Sequence, residues 1–223
     1  MPDIGRLIDL CRGGPAYIQT HNYPDPDALA SGHALAEFLA HFGIAATLCY
    51  GGQLDKRSCQ RMVEFFGIRA VHVGALPPMP ENAVLIYVDS QAGAGNVAPL
   101  GVPPAACIDH HPTFAPAQYR YEDLRRAGAC SSMVAEYFFT MGVPMDPGTA
   151  GALLFGIRVD TRQFTRGAAD LDYAMLTELT RVADGDALER LLNNTIAFDD
   201  LKAYSSAIEN IRVYFDACFT EVD

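Results

Sequence analysis

Residues 83–88 of the chain read AVLIYV, an uninterrupted apolar run rich in β-branched residues. Such a run is typical of a strand that is buried on both faces in a parallel sheet. Shorter runs of the same kind occupy residues 16–20, 45–50, 70–73 and 105–108. Amphipathic stretches of helical period separate these runs, and the alternation predicts an α/β fold with a mainly parallel sheet flanked by helices.

The second half of the chain has a different pattern. Five stretches of helical character follow one another at residues 129–141, 149–159, 171–182, 187–193 and 199–211. They predict a helical C-terminal part attached to the sheet domain. The last residues, 212–222, are strand-like again. We expect that the natural chain continues and supplies a partner for this strand, with a docked C-terminal strand as the alternative.

Composition excludes several classes of function. The 223 residues carry 27 Asp and Glu against 16 Lys and Arg, a formal net charge of −11. This acidity argues against a general nucleic-acid coat and against a membrane-surface protein, since both need a basic face. No apolar run approaches the ~18 residues of a membrane span, and the first residues lack signal-peptide features. Six scattered cysteines without a CxxC pair predict buried free thiols and a cytoplasmic location.

Four groups of acidic and imidazole residues follow the apolar runs. They are His21, Asp25 and Asp27 with the spacing H-x3-D-x-D, Asp89, the run Asp109-His110-His111, and Asp160. Because ligands of open parallel sheets bind beyond the carboxyl ends of the strands, the first three groups are expected to meet at one edge. Asp160, on or just after a helix, is expected to close the site. Asp27 as a helix N-cap and Asp109 as a support for an imidazole remain alternatives.

This set of side chains favours hard or borderline divalent cations. Carboxylates held so close together repel one another unless cations compensate them. With no cysteine among them, Mn²⁺ or Mg²⁺ is favoured over structural Zn²⁺. The residues exceed the needs of one ion, so we expect two ions bridged by a carboxylate. The chemistry that follows is hydrolysis at phosphorus.

The four groups together resemble the motifs of the DHH phosphoesterases. HNYPDPDALASG at 21–32 is similar to the first motif, VDS at 88–90 to the second, DHH at 109–111 to the third, and GIRVDTRQF at 156–164 to the fourth. Ser90 stands where the family commonly has threonine. The oligoribonuclease and phosphoadenosine phosphate phosphatase members are those that the chain resembles.

The resemblance implies a role for each position. One Mn²⁺ would be bound by His21, Asp25 and Asp89, and a second by Asp27, Asp89, His110 and Asp160. His111 would contact the scissile phosphate, and Asp109 would support the histidines.

Substrate-binding residues are less well defined by the sequence. Arg158, Arg162 and Arg166 surround Asp160 and could hold phosphates in bidentate geometry, with solvated arginines as the alternative. Arg162 is our candidate. Ser131 and Ser132 stand at a helix start where N–H groups could receive a phosphate, with N-capping as the alternative. Ser132 is our candidate there.

The resemblance also implies a domain organisation. We expect a DHH catalytic domain over residues 1–200, and a linker helix with the start of a missing substrate-binding domain over 201–223. The expected partners are a short oligonucleotide or nucleotide phosphate as substrate, a second copy in a homodimer, and no membrane. Two alternatives stay open. One is a pyrophosphatase or exopolyphosphatase, and the other is a non-catalytic metal-binding sensor or interaction domain.

Overall fold

A computed structural model of the chain describes residues 2–54, 57–113, 115–192 and 198–221. The chain divides into two compact units, Met1–Leu191 and Leu192–Asp223. The predicted boundary at residue 200 and the predicted missing domain stay predictions.

The first unit is built on a six-stranded sheet. Its strands are β1 (Ala16–Gln19), β2 (Ala46–Tyr50), β3 (Ala70–His72), β4 (Val84–Val88), β5 (Ala106–Asp109) and β6 (Tyr121–Leu124). The order is β3-β2-β1-β4-β5-β6, and every neighbouring pair is parallel. All five residues of β4 are buried, as the opening run predicts. The α/β prediction is confirmed.

Seven helices accompany this sheet in the described part of the first unit. They are α1 (Ile4–Cys11), α2 (Pro26–His41), α3 (Arg57–Phe66), α4 (Cys130–Met141), α5 (Pro147–Asp160), α6 (Asp170–Thr180) and α7 (Gly185–Leu192). Asn193, the predicted end of one helix, lies outside the described residues. Among the described helices, none has the length and apolar character needed to cross a bilayer.

The strand order creates a reversal point in the sheet. The chain runs outward from β1 to β2 and β3, then returns to place β4 on the other side of β1. The crevice beyond the carboxyl ends of β1 and β4 is therefore the place where such sheets bind ligands. The segments that follow β1 and β4 carry His21 and Asp89 into this crevice.

Helix α2 is the central helix of the unit. It packs on β1, β2 and β4 and also contacts α4 and α5. Gly156 of α5 allows the closest approach, because a Cβ atom there would lie 3.1 Å from Ala30 Cβ, 3.2 Å from Asp27 Cα and 2.5 Å from Ser131 Oγ. Gly156 precedes Asp160 by one helical turn, so this contact brings Asp160 towards the start of α2.

The sheet has a second, smaller apolar core. Leu85, Tyr87 and Cys107 form it, and residues outside the helices, such as Met79 and Leu100, pack against it. None of the six cysteines, all of them among the described residues, forms a disulfide bond. The prediction of burial is confirmed for five of them and is wrong for Cys218, which is exposed.

The second unit contains α8 (Phe198–Glu209) and an antiparallel hairpin of β7 (Arg212–Tyr214) and β8 (Ala217–Phe219). The prediction of a single strand over 212–222 is therefore wrong over the described part, where two strands pair with each other. Phe215 adopts a positive φ of 55°, which suits a tight hairpin turn that folds the segment back on itself. Val222 lies outside the described residues.

The contact at Gly156 gives a test of this packing. We expect Gly156→Ala to lower the free energy of unfolding by about 1–3 kcal/mol, because an added methyl group overpacks a closed interface. Urea titration followed by circular dichroism measures the change. Gly185→Ala is the matched control, since a Cβ there meets nothing within 4 Å. Equal effects of the two substitutions would contradict the close packing of α5 on α2.

Candidate metal centre

The segment after β1 places the first group of residues. Asp25 is the N-cap of α2, and its Oδ1 accepts the N–H groups of Asp27 at 3.0 Å and Ala28 at 3.1 Å. Pro26 fills the first turn, where a missing N–H costs nothing. The alternative that Asp27 is the N-cap is therefore wrong.

Asp27 instead binds the N-terminus of another helix. Its carboxylate is buried, and it accepts the N–H groups of Cys130 at 2.7 Å and Ser131 at 2.8 Å. These are the first N–H groups of α4, where the helix dipole favours an anion. The alternative that a serine caps α4 is wrong, because the N-cap is Ala129 without a side-chain hydrogen bond.

Asp89 follows β4 and has an unusual backbone conformation and an unusual side-chain environment. Its backbone has a φ of 56°, a left-handed conformation that is uncommon for a residue other than glycine. The side chain is buried, and its Oδ1 accepts no hydrogen bond of normal geometry, although His110 Nε2 lies 3.3 Å away. An unsatisfied buried acceptor costs about 1–3 kcal/mol, and more when charged. A bound cation would satisfy this oxygen.

Besides a group formed by Asp89 with Asp109, His110 and His111, two further groups of candidate ligand atoms lie on either side of Asp89. His21 Nε2 lies 3.6 Å from Asp89 Oδ2 and 3.9 Å from Asp25 Oδ1. The ligand atoms of these three residues all lie within 4.8 Å of one another.

The second group lies on the other side of the same carboxylate. His110 Nε2 is 3.3 Å from Asp89 Oδ1, 3.5 Å from Asp160 Oδ2 and 3.9 Å from Asp27 Oδ2. The ligand atoms of Asp27, His110 and Asp160 also lie within 4.8 Å of one another. The structure thus brings together all six residues that the sequence predicts as metal ligands, with Asp89 between the two groups.

Backbone carbonyl groups orient both histidines. Nδ1 of His21 lies 2.9 Å from the Asn22 carbonyl oxygen, and Nδ1 of His110 lies 3.0 Å from that of Ala127. An N–H group at Nδ1 donates to each carbonyl. In the neutral ring the lone pair is then on Nε2, the atom that faces the carboxylates, as in metal-binding histidines.

His111 is supported differently. Its Nδ1 lies 2.9 Å from Oδ1 of buried Asp109, whose Oδ2 accepts a hydrogen bond from Gln91 at 2.7 Å. Burial raises the pKa of Asp109, but the bonds from His111 and Gln91 outweigh it and hold that pKa below its usual value. The His111 side chain is 46% exposed, so its Nε2 is free for a substrate. Gln91 carries no sequence signal that could have predicted its part.

Burial and like charges shift the protonation of this centre. Burial raises the pKa of Asp27 to about 6 and that of Asp89 well above its usual value, and the charge of Asp27 adds to the effect on Asp89. Burial also raises the pKa of Asp160. Burial lowers the pKa of His110, but Asp89 and Asp27 outweigh it and raise that pKa to about 10. These shifts all favour the protonated forms, which reduce the negative charge of the site. A divalent cation would neutralise more of that charge.

A cleft of about 700 Å³ opens beside the second group. His110, His111 and Asp160 line it, so the cleft borders the candidate metal centre directly. Three arginines line it as well: Arg125, Arg126 and Arg166. Neither Arg125 nor Arg126 was predicted from the sequence pattern.

Neither predicted substrate residue lies in this cleft. Arg162 is exposed, and it is Arg166 from the same segment that lines the cleft. The prediction that Ser132 binds substrate is wrong, because its side chain is fully buried and its hydroxyl donates to Asp172 Oδ1 at 2.6 Å.

Comparison with known proteins gives one curated relative and a shared fold. No family model matches the chain. An uncharacterised protein of Methanocaldococcus jannaschii is 27% identical over 200 residues, which are 89% of this chain and 41% of that protein. The chain therefore spans less than half of that relative's length.

Two solved structures are similar. An exopolyphosphatase-related protein from Bacteroides fragilis superposes with a TM-score of 0.75 at 19% identity, over 95% of this chain and 66% of that one. Exonuclease RecJ bound to manganese has a TM-score of 0.44 at 17% identity, over 78% of this chain and 46% of that one. The Bacteroides structure shows that the fold is a known one.

The unsatisfied oxygen of Asp89 leads to a prediction about stability. We expect Mn²⁺ to raise Tm, since a ligand at 100 times its Kd stabilises a folded chain by about 2.7 kcal/mol. Asp89→Asn is expected to remove this rise. Without metal, the variant is expected to be at least as stable as the wild type, because a buried charge among carboxylates is gone. Thermal unfolding with EDTA and with Mn²⁺ measures both effects.

Asp9→Asn is the control, because Asp9 is an exposed carboxylate on α1. It should keep the full rise in Tm. A rise of equal size in Asp89→Asn would contradict the assignment of Asp89 as a metal ligand.

Proposed function

We propose that this chain carries the catalytic part of a metal-dependent phosphoesterase that acts on short oligonucleotides or small nucleotide phosphates. The observation that supports this most strongly is the buried, unsatisfied Asp89 oxygen between two groups of ligand atoms. The four DHH-like motifs, which supply these ligands, support the same reaction class. Five buried cysteines that form no disulfide support a location in the reducing cytoplasm.

The donor set fits two divalent ions. His21, Asp25 and Asp89 would hold one ion, and the second would be held by Asp27, Asp89, His110 and Asp160. Carboxylates and imidazoles without thiolates suit Mn²⁺, with Mg²⁺ as the alternative. When bound, such a pair supplies a hydroxide nucleophile at neutral pH and neutralises charge on the phosphoryl oxygens.

The protein's own residues orient the reacting groups. The carbonyl groups of Asn22 and Ala127 fix the rings of His21 and His110, so that Nε2 of each is directed at the centre. Asp109 fixes the ring of His111 in the same way. With both ring nitrogens protonated, Nε2 of His111 would donate to a phosphoryl oxygen and stabilise the negative charge that grows there in the transition state.

A phosphoanhydride is the second candidate substrate. Pyrophosphate or polyphosphate would use the same ligands and the same cleft arginines. The description of the Bacteroides neighbour as exopolyphosphatase-related favours this candidate. A metal-binding sensor without catalysis is the remaining alternative. A homodimer and a further substrate-binding domain stay predictions.

Hydrolysis by the purified chain tests the proposal. We expect the chain to release AMP from the dinucleotide ApA only when Mn²⁺ is present. Chromatography of the reaction mixture measures the AMP formed. Asp89→Asn should reduce the rate to the buffer background. His111→Gln should lower kcat about 10²–10³-fold, the effect of removing one charge-stabilising donor, while bound Mn²⁺ is unchanged.

Each other outcome has a defined meaning. Phosphate release from tripolyphosphate without cleavage of ApA would select the phosphoanhydride reaction. Mn²⁺ binding without turnover of either substrate would favour the sensor. Full activity of Asp89→Asn would contradict the metal-dependent mechanism, and Asp9→Asn should behave as wild type.

A further inference from the structure

The cleft beside the candidate metal centre is lined by positively charged side chains that have no role in the hydrolysis mechanism proposed above. Arg126 and Arg166 line it together with His111 and Asp160. Among the described residues, neither arginine forms an ion pair with a carboxylate side chain. In a chain of net charge −11, these two arginines bring positive charge to a cleft that Asp160 also lines.

The backbone around Arg126 is fixed on both sides. The Arg125 guanidinium is bound by Asp123 at 2.6 and 3.0 Å and by Glu136 at 2.6 Å. On the other side, the Ala127 carbonyl accepts the His110 ring N–H. The Arg125 guanidinium is therefore paired with two carboxylates. Arg126, which lies between Arg125 and Ala127 in the chain, lines the cleft without such a pair.

Gly128 completes this anchor. Its N–H donates at 2.7 Å to the buried carboxylate of Asp172, and a Cβ at Gly128 would lie 2.6 Å from the same carboxylate. The segment from 125 to 128 is thus tied to the metal centre and to α6. This rigidity lowers the entropy that Arg126 loses when it binds a ligand.

Arg166 is brought to the cleft by a strained turn after α5. Arg162, Gln163 and Phe164 have φ values of 48°, 56° and 64°, three successive left-handed residues of which none is glycine. Each costs roughly 1–2 kcal/mol, so the surrounding contacts must hold them.

Two contacts hold this turn. The Gln163 N–H donates to the Arg158 carbonyl at 2.7 Å, and the Arg166 N–H donates to the Thr161 carbonyl at 2.9 Å. The turn returns the chain so that Nη2 of Arg166 lies 3.2 Å from the carbonyl oxygen of Asp160. Arg166 is therefore placed beside a candidate metal ligand. Both arginines are exposed, but Arg166 lines the cleft and Arg162 does not.

We propose that Arg126 and Arg166 form a subsite for a second phosphate, next to the phosphoryl group that is hydrolysed. The inference rests on the proposed function. The scissile group is served by the metal ligands and His111, and the cleft of about 700 Å³ leaves room beyond it. Guanidinium groups bind phosphate through two parallel hydrogen bonds, which selects substrates that carry at least two phosphates.

A matched pair of dinucleotides tests the subsite. ApA and pApA differ only in a terminal phosphate. With Mn²⁺, we expect the wild type to have at least a tenfold higher kcat/KM for pApA than for ApA. The double variant Arg126→Gln/Arg166→Gln should reduce this ratio to about one.

The control double variant is Arg162→Gln/Arg181→Gln. It removes the same charge from exposed positions outside the cleft, and it should keep the wild-type ratio. A ratio that is the same in both double variants would overturn the subsite, even if both hydrolyse ApA.

Binding provides a readout that is independent of turnover. If no variant hydrolyses either dinucleotide, calorimetry on metal-stripped protein decides the question. Tighter binding of pApA than of ApA by the wild type, lost only in Arg126→Gln/Arg166→Gln, would keep the subsite and overturn the phosphoesterase. Equal affinities, or no binding of pApA, would overturn the subsite.

Discussion

Repulsion among buried carboxylates around Asp89 is the constraint on which the rest of this structure depends. Burial of several acidic side chains at one point is unfavourable unless each is compensated. Asp25 is compensated by N–H groups of its own helix, and Asp27 by the first N–H groups of α4. His110 lies against three of the carboxylates. Oδ1 of Asp89 has His110 Nε2 at 3.3 Å but accepts no hydrogen bond of normal geometry, and a cation would compensate it more fully.

The same constraint explains the arrangement of the helices. The N-terminus of α4 must reach Asp27 at the start of α2, and α5 must come close enough for Asp160 to join them. Gly156 allows that approach, because any side chain there would collide with Ser131 and α2. The sheet contributes the reversal between β1 and β4, which brings the segments bearing His21 and Asp89 side by side. Fold and site therefore depend on the same few contacts.

Most of the sheet and all of the candidate ligands could be predicted from the sequence, since buried strands are apolar and the polar groups follow them directly. Strand β6 was not predicted, because Tyr121–Leu124 is an edge strand with two acidic residues. Contacts between distant segments were also beyond sequence patterns. Asp27 reaches α4 across about a hundred residues, and Ser132 is turned inward by Asp172. The choice of Arg166 over Arg162 depends on a left-handed turn that no local preference indicates.

Anomalous scattering from Mn²⁺ in crystals of the chain tests the central claim most directly. The measurement locates each ion independently of any activity. We predict two peaks about 3.5–4 Å apart, one on each side of the Asp89 carboxylate. A single peak remote from Asp89, or no peak at millimolar Mn²⁺, would contradict the account.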